Sequence, residues 1–206
     1  MKIKDRCFIV LGMHRSGTSM FSEILHKSGV NMGDRMVAGD WSNPHGHFED
    51  REFVNLNIRM LRTLNASWDN PPEKIDLKKL KPFRKEARQL IRRKNHGYWG
   101  WKDPRTLLLW SFWKQYIPKY SVVISMWRDD AAIIKSLKKR NGFTTEKTME
   151  IMKSYDVLNI DCDYIIPYAD TFDPKFQTRL LNLFNDVYGI KLDLQYVDEK
   201  LNRSGK

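Results

Sequence analysis

The chain has 206 residues, with 36 Lys and Arg against 25 Asp and Glu, for a formal net charge of +11. Hydrophobic residues make up 41% and aromatics 12%, enough for the core of one compact domain and too much for a disordered chain. Two cysteines, Cys7 and Cys162, exclude a disulfide framework, no run reaches the roughly 18 apolar residues of a membrane span, and the basic surplus favours anionic partners.

Short apolar runs alternate with helical spacing, the pattern of a parallel α/β sheet. The first residues are charged, and the apolar run behind them is too short for a secretory leader, so a soluble, cytoplasmic protein is expected. Cys7 to Leu11 reads as the first buried strand. Gly12-Met-His-Arg-Ser-Gly17-Thr-Ser19 follows, and helical spacing runs from Ser19 to Lys27. Strand, spaced glycines and helix in that order form a phosphate cradle. The loop N–H groups converge on an anion, and the helix N-terminus adds positive potential.

A Walker A loop carries lysine directly after its second glycine, where it reaches the β- and γ-phosphates. That position here is Thr18, and the positive charge sits at Arg15 instead. The loop therefore suits a 5′-phosphate or phosphosulfate better than a nucleoside triphosphate.

A short second strand is expected at Val30 to Met32. Beyond it come His45, His47, Glu49 and Asp50. The two histidines lack a third ligand nearby, so no metal is expected there. From 69 to 95 there are ten Lys or Arg against four acids, which reads as a basic helical insertion spanning about 69–97. A solvated helix accounts for such a run, as does contact with an anionic acceptor or nucleic acid. Tyr98 to Lys102 is the third strand, and Lys102 ends it on the side where α/β sheets bind ligands. Asp103 and Arg105 suit a local ion pair. Ser121 to Trp127 is the clearest buried strand, almost continuously apolar. Arg128 ends it, and Ser136 lies eight residues further on, in the next helical pattern. Tyr164 to Pro167 is the fifth strand, and Lys175 to Tyr188 is a late amphipathic helix. The expectation is a single α/β domain over 1–206: a central parallel sheet of about five strands flanked by helices, of P-loop nucleotide-binding type.

Arg15-Ser-Gly-Thr-Ser19, with Arg128 and Ser136 downstream, resembles the two fingerprints by which sulfotransferases hold 3′-phosphoadenosine 5′-phosphosulfate (PAPS). Asn43 to Asp50, Trp99 to Arg105 and Arg140 to Phe143 look like segments of the small, soluble bacterial-type members. The resemblance implies transfer of a sulfuryl group from PAPS to a hydroxyl or amine. In that reading His14, Arg15, Ser16, Gly17, Thr18 and Ser19 bind the 5′-phosphosulfate, and Arg128 and Ser136 bind the 3′-phosphate. Arg203, near the terminus, closes over the nucleotide. Cytosolic sulfotransferases have Lys-Thr-His where this chain has Lys102-Asp103-Pro104, so the sulfuryl-contacting lysine carries over and the histidine base does not. Carbohydrate-type and tyrosylprotein sulfotransferases place a glutamate after the second strand. Glu49 is accordingly the expected base, with His47 second and Asp50 third. Arg15 and Lys102 would stabilise the transferring charge without a metal.

The acceptor is left open among carbohydrate, phenol, peptide and lipid, with no obligate nucleic acid and no membrane span. Two other readings stay open on the residues alone. One is a P-loop kinase acting on a small molecule or nucleotide, which fits the glycine spacing. The other is a basic nucleic-acid-binding domain, which fits the charge but carries no recognised motif.

Overall fold

In the computed structural model, which describes residues 5–39 and 46–197, the apolar runs become four parallel strands. These are β1 (Arg6–Leu11), β2 (Tyr98–Lys102), β3 (Ser121–Trp127) and β4 (Tyr164–Pro167), in spatial order β2-β1-β3-β4. Each face of the sheet is buried, which is why β1 and β3 read as unbroken apolar runs rather than alternating ones. Cys7, Ile9 and Leu11 point into one layer of the core, and Phe8 and Val10 into the other.

The first layer is covered by α2 (Arg51–Thr63), α3 (Arg84–Lys94), the short α4 (Pro104–Leu108) and α5 (Trp110–Trp113), then α6 (Asp130–Asn141) and α7 (Thr145–Met152). The second is covered by α1 (Thr18–Lys27), α8 (Pro174–Leu183) and the π-helical turn Phe184–Tyr188 that continues α8. The late helix expected over 175–188 is therefore present, with its last turn widened.

The strand expected at 30–32 is reduced to one bridge, Asn31 opposite Trp99. Asn31 Oδ1 accepts the N–H of Gly33 at 3.0 Å. Such a side-chain turn ends the extended run after one residue. The sheet thus has four strands among the described residues instead of about five. β2 approaches β1 very closely: a Cβ on Gly100 would lie 2.1 Å from the Phe8 carbonyl oxygen. Only glycine fits there, between the two large rings of Trp99 and Trp101.

The basic segment divides in two. Residues 69–79 run as turns, and α3 is amphipathic, with Ala87, Leu90 and Ile91 buried in the first core layer. Its last residue, Lys94, is buried as well.

Chain order places the site. After β1 the chain builds β2 on one side, then crosses to β3 on the other, so the direction of winding reverses at β1. Ligands of open α/β sheets bind beyond the carboxyl ends of the strands at such a reversal. The glycine-bearing loop before α1 leaves β1 and Arg128 leaves β3 at that edge. No helix among the described residues is long and apolar enough to cross a membrane.

Candidate active site

The loop between β1 and α1 is a tight turn. The backbone N–H and the Oγ of Ser16 both donate to the Met13 carbonyl, at 3.2 and 2.7 Å. Gly17, with φ 94°, is the N-cap of α1, and a Cβ there would lie 2.2 Å from Tyr168 Cδ2. The second glycine of the cradle is required twice over, by its left-handed backbone and by the ring against it. Arg15 also holds a left-handed conformation, φ 72°, unusual for a residue with a Cβ. The first turn of α1 has no acidic residue, so no carboxylate of the helix competes for its N-terminus.

Both fingerprints meet at this loop. Arg15 Nε donates to Ser136 Oγ at 2.8 Å, and Arg128 Nη1 donates to the Arg15 carbonyl at 2.9 Å. The Arg128 guanidinium lies 4.3 Å from the centre of the Tyr168 ring. Two arginines, a serine and a tyrosine from four separate segments converge, although 121 residues separate Arg15 from Ser136. Asp129 starts α6 by accepting the Ala132 N–H at 3.1 Å, which holds Ser136 on the loop side of that helix.

A second cluster sits at the end of β2. Lys102 is 1% exposed, and its ammonium donates to Glu49 Oε1 at 2.7 Å and to Ser19 Oγ at 3.2 Å. One cation thus ties the start of α1 to the predicted base. Arg105 approaches the other Glu49 oxygen at 3.7 Å and pairs with Asp103 at 2.7 Å. Burial works against the Arg105 charge, but Asp103 and Glu49 outweigh it and raise its pKa. The expected Asp103–Arg105 pair forms, and Asp103 also caps α4 through the Arg105 N–H at 3.0 Å. Behind it, Asn57 Nδ2 donates to Asp103 at 2.8 Å and to Thr106 Oγ1 at 3.1 Å, while Trp113 Nε1 donates to Asn57 Oδ1 at 2.7 Å. A satisfied buried network of this kind fixes the strand end rigidly.

His14 stands between the clusters. Burial lowers its pKa well below 6.5, and Arg105, Arg140, Lys102 and His47 lower it further. The imidazole is therefore neutral at physiological pH. Its ring packs 4.4 Å from Trp68 and 6.2 Å from Tyr155, centre to centre. Beside the loop, Met13, Ser16, Arg128, Met149 and Tyr155 help to line a cleft of about 370 Å³.

His47 is half-buried near His14. Asp50 caps α2, accepting the Glu52 N–H at 2.9 Å and the Lys94 ammonium at 2.7 Å. Thr18 is buried as the first residue of α1. His45 and Arg203 lie outside the described residues. Among the described residues, three carboxylates come close enough to share an ion: Asp34, Asp50 and Glu52. The Lys94 ammonium already sits among them, at 2.5, 2.7 and 3.0 Å.

Sequence reasoning did not assign Asn57 or Tyr168. Tyr168 follows directly on β4, and the rule that ligands meet strand ends would have found it. Asn57 lies on the buried face of an amphipathic helix and carries no local signal.

No family model matches the chain, and no curated protein matches it in sequence. Solved structures share its fold. The sulfotransferase domain of the Synechococcus PCC 7002 olefin synthase superposes with a TM-score of 0.51 at 15% identity, over 100% of this chain and 82% of that one. TT1252 from Thermus thermophilus superposes with a TM-score of 0.50 at 12% identity, over 89% and 98%. A sugar kinase from Janibacter gives 0.49 at 12% identity, over 90% and 97%. The likeness is one of fold.

Proposed function

We propose that this protein transfers a sulfuryl group from PAPS to an acceptor hydroxyl or amine, releasing adenosine 3′,5′-bisphosphate. The observation that carries the reading is the meeting of Arg15, Arg128 and Ser136 at a phosphate loop that has Thr18 where an ATP-binding loop has lysine. A nucleotide with phosphates on both the 5′ and the 3′ carbons needs two cationic sites a ribose apart. In this reading Arg15 with the loop amides would serve one, and Arg128 with Ser136, whose hydroxyl accepts from Arg15 before the donor binds, would serve the other. Tyr168 buttresses the second by its contact with the guanidinium. The fold it shares with a sulfotransferase domain is compatible with this reading.

The chemistry then falls to the end of β2. The acceptor oxygen bonds to sulfur as the bond from sulfur to the 5′-phosphate oxygen breaks, and that electron pair leaves with the bisphosphate. Lys102, next to Ser19, stabilises charge on the transferring group, and Arg15 stabilises charge on the leaving phosphate. Glu49 takes the acceptor proton. Its carboxylate is held by Lys102 and Arg105, so it is aimed before substrate arrives.

Calorimetry tests the donor site. Adenosine 3′,5′-bisphosphate is expected to bind roughly 10- to 100-fold tighter than AMP, the difference made by hydrogen bonds to a charged phosphate. Arg128→Ala is expected to erase most of that difference. Equal affinities for the two nucleotides in the wild-type protein would remove the 3′-phosphate site.

A further inference from the structure

The exposed cations of α3 form a row. Lys85, Arg88 and Arg92 stand three and four residues apart, so they share one face of the helix, turned away from Ala87, Leu90 and Ile91 in the core. Lys81, in the short 3-10 turn that leads into α3, extends the row. All four are exposed, and none pairs with a carboxylate among the described residues. The nearby acids are engaged elsewhere: Glu86 pairs with Arg59, and Glu52 with Arg93 and Lys94. Lys81 and Lys85, and Arg88 and Arg92, stand four apart, a spacing at which like charges destabilise a helix. At about 1.5 Å per residue the row is about 16 Å long, with a cation roughly every 5 Å. It also leads to the site. The pairs Arg59–Glu86 and Glu52–Arg93 set α3 antiparallel to α2, and the last residue of α3, Lys94, bonds Asp50 at 2.7 Å, next in sequence to Glu49.

The surroundings of the row narrow its partner. The Arg88 guanidinium lies 5.4 Å from the centre of the Tyr116 ring, and that of Arg59 lies 5.7 Å from the centre of Phe83. Each ring already carries a cation, unlike the open stacking platforms that hold single-stranded nucleic acid. The apolar face of α3 is buried, and among the described residues none of the exposed large apolar side chains falls between 69 and 95, which leaves nothing to enter a bilayer. We propose that the row docks an acidic polysaccharide through its carboxylates and, within the sulfuryl-transfer reading, on which this second part rests, that a hydroxyl of the same polymer is the acceptor. A polyuronate carries carboxylates to meet the row and hydroxyls to receive the sulfuryl group, whereas polyglutamate has the charge without the hydroxyl. The polymer oxygen bonds to sulfur as the bond from sulfur to the 5′-phosphate oxygen breaks, that electron pair leaves with the bisphosphate, and the hydroxyl proton passes to Glu49.

Fluorescence anisotropy with labelled oligogalacturonate, dextran, and an oligoglutamate and an oligothymidylate of matched charge reads docking without any donor. Sedimentation with phosphatidylserine vesicles reads membrane binding. Oligogalacturonate is expected to bind tightest, and dextran not at all. Lys85→Gln/Arg88→Gln/Arg92→Gln is expected to weaken that binding about 10-fold and to flatten its salt dependence. Lys175→Gln/Arg179→Gln/Lys191→Gln removes as many exposed charges from the second-layer side of the sheet and is expected to leave it nearly unchanged. With radiolabelled PAPS, label is expected in oligogalacturonate, and the α3 variant is expected to raise its KM about 10-fold with adenosine 3′,5′-bisphosphate affinity unchanged. Equal losses in the two triple variants would overturn the proposal, as would tighter binding of oligothymidylate, oligoglutamate or the vesicles. So would an oligogalacturonate that stays unlabelled by a protein that holds the bisphosphate. Failure of the wild-type protein to bind the bisphosphate would instead defeat the sulfuryl-transfer reading, while the anisotropy measurement would still decide the docking surface.

Discussion

Glu49 shares its carboxylate between two cations, Lys102 at 2.7 Å and Arg105 at 3.7 Å, in a buried setting. Two cations on one carboxylate fix the direction in which it points. Glu49→Gln keeps the shape and can still accept a hydrogen bond from Lys102, but it cannot take a proton. Turnover is expected to fall about 10²-fold or more, the usual cost of losing a general base, with bisphosphate affinity retained. Single-turnover kinetics with calorimetry separates the two. Near-normal turnover would pass the role to His47, the half-buried neighbour.

At the scale of elements, the basic run that suited a solvated helix or contact with an anion in the sequence ends in a residue that braces the segment around Glu49. α3 turns its basic face to solvent but ends in Lys94, which is buried among Asp34, Asp50 and Glu52. Asp50 caps α2 and directly follows Glu49, so Lys94 fixes the segment that carries the proposed base. Burial works against the Lys94 charge, yet the three carboxylates outweigh it and raise its pKa. Lys94 correspondingly lowers the pKa of Asp34 below 3.8, and it outweighs burial to hold Glu52 below 4.5. The stability these two acids contribute is complete above their unfolded pKa values and is lost as pH falls through the lower folded values. Lys94→Met leaves Asp50, which is 0% exposed, without the ammonium that neutralises it, held only by the N–H groups of Asp34 and Glu52. Urea denaturation at neutral pH is expected to show a loss of about 3–5 kcal/mol. The acid-induced loss of stability below about pH 4 is expected to flatten in the variant. An unchanged midpoint would show that the cluster is held by other contacts.

For the molecule as a whole, what the sequence disclosed and what it hid differ by range. The turn from β1 into α1 was legible because strand, glycines and helix are local: Gly12, Gly17 and the apolar run before them lie within a dozen residues. The eight-residue interval from Arg128 to Ser136 was legible because it lies within one strand end and the helix behind it, but the contact Ser136 makes, with Arg15 121 residues away, was not. The site's long-range partners were not. Nothing near Lys102 announces Glu49, and nothing near Lys94 announces Asp34, Asp50 and Glu52, because burial and ion pairing across 42 (94 − 52) to 60 residues leave no periodic trace. The expected fifth strand failed for a local reason, the Asn31 side-chain turn, that apolar content alone does not reveal.

The most direct measurement of the central claim is a crystal structure of the protein with adenosine 3′,5′-bisphosphate. The account predicts the 5′-phosphate within the loop from Gly12 to Ser19 and the 3′-phosphate within hydrogen-bonding distance of Arg128 and Ser136, at the carboxyl edge of β1 and β3. A nucleotide bound at the opposite edge of the sheet, or a 3′-phosphate facing bulk solvent, would contradict it.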